Sequence, residues 1–171
     1  SALKVEIDDL LMMLKDEELV SQTNTDIEEL ESRLNAFFEK ADFGTMQRLN
    51  SMTTAIESLK SFIAVPRSQD DMVAAAKDVK AMKEMLLIEE TAYQAKEEAA
   101  DARNWADSVA ADCQSDSRNV LKIIKNSLAS LSKQSGESKD MKELATIKSK
   151  ISTLKAEISN IQEAANMDKE L

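Results

Sequence analysis

Residues 88 to 113 read "IEETAYQAKEEAADARNWADSVAADC". At alternating spacings of four and three, one stripe runs Ile88, Ala92, Ala95, Ala99, Ala102, Ala106, Val109, Cys113. That period belongs to one face of an α-helix. Most of the stripe is alanine, so it needs a bulky neighbour that can approach closely. The last part of the chain supplies one. Leu144, Ile147, Ile151, Leu154, Ile158, Ile161 and Ala165 alternate by three and four in the best heptads of the sequence.

Working outward from the alanine seam, the same period recurs. Met72, Ala76, Val79, Met82 and Leu86 lead into it, and Val120, Ile124, Leu128 and Leu131 continue it. No Gly or Pro falls between Gln69 and Leu131. The spacing therefore predicts a single helix over 69–131, roughly 95 Å long at 1.5 Å per residue. The competing reading breaks it at Ser115 to Ser117, within "CQSDSRN", residues 113–119, where small polar residues crowd.

Upstream, Leu3, Ile7, Leu10 and Leu14 form a first seam, which fails at Glu17 and Ser21. Thr25 and Glu28 match a capping box, ahead of a second seam at Ile27, Leu30, Leu34, Phe37 and Ala41. Residues 2–41 are thus one kinked helix or two. Gly44 suits a left-handed helix stop, and Leu49, Met52, Ile56, Leu59 and Ile63 mark a helix over about 45–64. Pro66 closes it, and Ser68 with Asp71 offers a second cap. Gly136 sits at the centre of the clearest loop, before a last helix over about 139–168.

The expected fold is all-α, a single domain over 1–171. It is an elongated antiparallel helical bundle or coiled coil of four to five helices, one of them very long. Only 2 Gly and 1 Pro in 171 residues leave few turns, which agrees with long elements. Charged residues make up 32% and interleave with apolar ones, as on amphipathic helices. Three-helix modules with long helices, of the spectrin-repeat kind, share this general layout, which by itself implies no function.

Composition narrows the chemistry. With a net charge of −10, a basic surface for nucleic acid is not expected over the whole chain. One Cys excludes an internal disulfide framework. No His is present, so neither a Cys–His nucleophilic pair nor a Glu-x-x-His metal motif can form. Cys113 lies on the seam and is expected to act as a small buried hydrophobe. The glycines needed for a phosphate loop are missing. We expect no catalytic residue, no cofactor and no metal. The methionines, among them Met12, Met13, Met46, Met52, Met72, Met82 and Met85, lie on or beside the seams and are expected to fill core.

Charge is unevenly spread. Residues 1–42 carry 12 acids and 4 bases, and residues 117–156 carry 9 bases and 3 acids. The opposite signs could bring the first helices beside the last hairpin, or favour head-to-tail association between molecules. The lysines of 117–156 sit among Ser and Asn without an aromatic face, which disfavours membrane contact.

The function expected from these features is a non-enzymatic interaction or scaffold module working through helix-to-helix contacts with protein partners or with itself. The candidate interaction residues are Ala92, Ala95, Ala99, Ala102, Trp105, Ala106, Leu144, Ile147, Ile151, Leu154 and Ile158. The alanine seam has two readings: close packing inside the chain, or a groove for a partner's helix. The alternative function is a secreted or surface-exposed helical protein of a secretion apparatus, adhesin or coat. The chain opens on Ser1 and not on Met, so an upstream segment is allowed for; the compartment is otherwise unassigned, with the cytoplasm slightly favoured.

Overall fold

The computed structural model describes all 171 residues. The fold is all-α, with five helices and no strand: α1 (Ala2–Phe38), α2 (Phe43–Ile63), α3 (Gln69–Ala110), α4 (Ser115–Glu137) and α5 (Met141–Glu170). Packing divides the chain into two compact units, Ser1–Leu87 and Ile88–Leu171. Helix α3 runs through the boundary and gives one part to each unit.

The first unit holds α1, α2 and the start of α3. Its core is Ile27, Leu30, Leu34 and Phe37 from α1, Leu49, Met52 and Ile56 from α2, and Met72, Ala75, Val79, Met82 and Leu86 from α3. Ala75 is buried where the periodicity points to Ala76, which stays half-buried. The capping box at Thr25 does not restart a helix, because α1 is continuous. Its polar side chains bond within the helix and leave the ladder whole. Thr23 Oγ1 donates to the Leu19 carbonyl at 2.7 Å, and Thr25 Oγ1 to the Ser21 carbonyl at 3.0 Å.

Gly44 is not a helix stop. It lies in the first turn of α2, and no residue of the chain has a positive φ. Asp42 caps that helix, its carboxylate accepting from the Thr45 amide at 2.8 Å. The cap expected at Ser68 is present: its hydroxyl accepts from the Asp71 amide at 3.2 Å and starts α3.

The second unit holds the rest of α3 with α4 and α5. The single helix expected over 69–131 does not form. The chain breaks after Ala110 and resumes at Ser115, so the break covers residues 111–114, overlaps the crowded stretch only at Cys113 and Gln114, and leaves Ser115 to Ser117 in the first turn of α4. The last turn of α3 tightens, with the amides of Asp112 and Cys113 donating to the carbonyls of Val109 and Ala110 at 3.1 and 3.2 Å. Gln114 is extended, and Arg118 Nε donates back to the Cys113 carbonyl at 2.8 Å. The break resets the helical phase. Leu121, not Val120, therefore enters the core with Ile124, Leu128 and Leu131, and Val120 is exposed.

Gly136 is not a loop centre either. It is helical, and the turn is Ser138–Asp140, where the Asp140 carboxylate accepts from the Lys142 amide and caps α5.

Candidate interaction surface

The alanine seam is filled from within its own unit. Ala92, Ala95, Ala99, Ala102, Ala106, Val109 and Cys113 form one core with Leu121, Ile124, Leu128 and Leu131 of α4 and Leu144, Ile147, Ile151 and Ile158 of α5. Ala95, Ala99, Ala106, Leu144, Ile151 and Ile158 have no exposed surface at all. Small side chains on α3 let the two Leu/Ile ridges come close, which is the geometry a stripe of alanine permits. Of the eleven candidate residues, only Trp105 and Leu154 are half-buried, and both pack against this core. Trp105 covers its edge, with Nε1 donating to Gln162 Oε1 at 3.2 Å. All eleven thus belong to one interior.

Charges are paired within each unit. In the first, Lys60 of α2 meets Glu31 of α1 at 2.8 Å. Lys83 of α3 bridges Asp26 and Glu29 of α1 at 3.0 and 3.1 Å. The Lys83 hydrogen bond holds the Asp26 carboxyl below its usual range, and Asp26 in turn raises the Lys83 ammonium. In the second unit, bases of α4 and α5 meet acids of α3 and of the residues just after it. Lys125 pairs with Asp107, Lys148 with Glu98 at 3.8 Å, and Lys169 with Asp112 at 2.9 Å. Tyr93 donates its hydroxyl to Glu97 at 2.8 Å, which raises the phenol above its ordinary value.

What stays uncovered is the start of α1. The turn between α2 and α3 lies at the level of Asp16 to Thr25: Asp16, Glu17, Val20, Ser21 and Thr25 line one groove with Ile63 to Arg67 and Met72. Residues 2–14 precede that level and are all exposed. Leu3, Ile7, Leu10 and Leu14 are 67, 48, 59 and 56% exposed, and Val5, Leu11, Met12 and Met13 are exposed as well. The expectation that the methionines fill core therefore holds for Met52, Met72 and Met82 and fails for Met12, Met13 and Met85. The first seam was legible in the sequence, but its lack of a partner was not, because periodicity carries no information about what faces it.

No three His, Cys, Asp or Glu side chains converge closely enough to hold a metal ion. No helix is long and apolar enough to cross a membrane. Comparison of the chain with protein-family models, with curated proteins and with solved structures returned no match.

Proposed function

We propose that this protein is a non-enzymatic helical interaction module, a scaffold element that binds protein through coiled-coil contacts made by the first part of α1. One observation carries this reading. The seams from Ile27 onward are filled inside their own units, whereas the seam Leu3, Ile7, Leu10, Leu14 stands in water. Leu3, Ile7, Leu10, Leu11 and Leu14 share one face of the helix at 100° per residue, all of them exposed, and so form an apolar patch of the kind that marks an interaction site. Residues 2–14 extend α1 beyond its packed part and bury no face of their own. A helical partner that covers the seam buries one.

A photo-crosslinking amino acid at Leu10 tests the reading in the native cells, with one at exposed Lys122 as the control. A discrete protein adduct from position 10 and none from position 122 is the expected result. Absence of any adduct at position 10 overturns it.

A further inference from the structure

We infer that the occupant of the exposed α1 seam is the same seam of a second copy, packed antiparallel about a two-fold axis between Ile7 and Leu10. This deepens the helix-docking reading above and rests on it.

The spacing of the seam is the first support. From Leu3 to Ile7, Leu10 and Leu14 the intervals are four, three and four, which read the same in both directions. Turned end over end, Leu3 therefore meets Leu14 of the second copy, and Ile7 meets Leu10. A surface in which residue i meets j while j meets i is the self-complementary kind that a two-fold axis requires.

Charge placement is the second support. At 100° per residue, Glu6 and Lys4 flank the seam on opposite sides, whereas Asp8 and Asp9 point away from it. In the antiparallel arrangement Glu6 lies opposite Met13 and Lys4 opposite Leu11, so no like charges oppose each other at the flanks. A parallel arrangement continues the seam to Glu17 and stacks Glu17 on Glu17, with Asp16 and Glu18 beside it. Such like-charge juxtaposition opposes association. Antiparallel overlap ends at Leu14 and carries these acids past the contact.

Area is the third. The four seam residues with Leu11 and Met13 are each between 48 and 67% exposed. At ~100 Å² for each side chain, two copies cover on the order of 1,200 Å², the lower edge of specific interfaces. An anionic membrane fits less well, because the helix carries three acids and one Lys over residues 3–14 and lacks a basic polar face.

The overlapping segments are each net negative, so added salt should tighten this dimer. Head-to-tail pairing of the acidic α1 with the basic stretch of α4 and α5 has the opposite salt dependence. Sedimentation velocity over a concentration series at low and high salt reads both. We expect a reversible dimer, tightened by salt, and weakened at least tenfold by Leu10→Asp. Leu10 makes no core contact, so circular dichroism should show that variant folded. Orientation is read by disulfide trapping in a Cys113→Ala background. Chains with Leu3→Cys should link to chains with Leu14→Cys and not to themselves, since these positions lie ~16 Å apart along one helix.

A monomer at all concentrations overturns the inference, as does a dimer that salt loosens or Leu10→Asp leaves unchanged. Self-linking of the Leu3→Cys chain overturns the antiparallel arrangement. If the protein is monomeric yet position 10 crosslinks a different protein in cells, the self-pairing inference fails while the helix-docking reading stands. If neither is seen, both fail.

Discussion

The ammonium of Lys83 on α3 lies 3.0 Å from the carboxylate of Asp26 on α1, 57 positions away in sequence. Both side chains are about three-quarters buried, at 26 and 28% exposure. The same ammonium reaches Glu29 at 3.1 Å. One lysine thus joins two helices of the first unit through two carboxylates a turn apart.

Lys83→Met keeps the aliphatic stem and removes the charge. It should cost the first unit about 0.5–1 kcal/mol at neutral pH, after allowing for solvent screening. Asp26 titrates below its ordinary value when folded, so its contribution is present above about pH 3.9 and is lost as pH falls through the lower folded value. Lys83 titrates above its ordinary value, so its share is present below about pH 10.4 and is lost as pH rises through the higher folded value. Urea melts at a series of pH values should show the variant and the parent converging at both extremes. A constant difference down to about pH 2 would mean the mutation acts through packing alone.

Ala99 has no exposed surface and sits in the core shared by α3, α4 and α5. Ala99→Leu adds three carbons where the ridges are already close and should destabilise by about 1–3 kcal/mol. An unchanged urea midpoint would show that the seam has slack.

Ile151 lies on the other side of that core and is also fully buried. Ile151→Ala leaves a cavity among Leu and Ile side chains and should cost about 2–5 kcal/mol. A loss below about 0.5 kcal/mol, the range of surface substitutions, would place α5 outside the core in solution.

Gly136 should tolerate a side chain. It is helical, and an added Cβ would come within 3.3 Å of Lys96 Nζ and 3.4 Å of its Cε. Those atoms end a flexible chain and can move aside. Gly136→Ala should then stabilise by about 0.5 kcal/mol, because alanine loses less backbone freedom in a helix. A lowered thermal midpoint would mean that Lys96 is held more firmly than its length suggests.

How far the sequence reached can be judged at particular residues. The seam Ala92 to Cys113 and its Leu/Ile partner from Leu144 to Ile158 were both legible, and the structure packs them together, because a 3.6-residue period and side-chain size are local properties. The cap at Ser68 was legible for the same reason. Gly44 and Gly136, which have no side chain, carry no such signal. Both lie inside helices, because Asp42 begins α2 ahead of one glycine and the turn at Ser138–Asp140 follows the other. At Val120 and Leu121 the period failed, since a four-residue break shifts helical phase and its position depends on contacts made by Cys113 and Arg118.

The sequence by itself determined the all-α class, the long elements and the faces able to be buried, because helix periodicity is written in neighbouring residues. Only the tertiary structure decided which of those faces found a partner. Leu30 and Leu10 stand in seams of the same spacing, yet one is fully buried and the other is 59% exposed. The difference is whether another helix lies alongside, and that depends on residues far away in the chain.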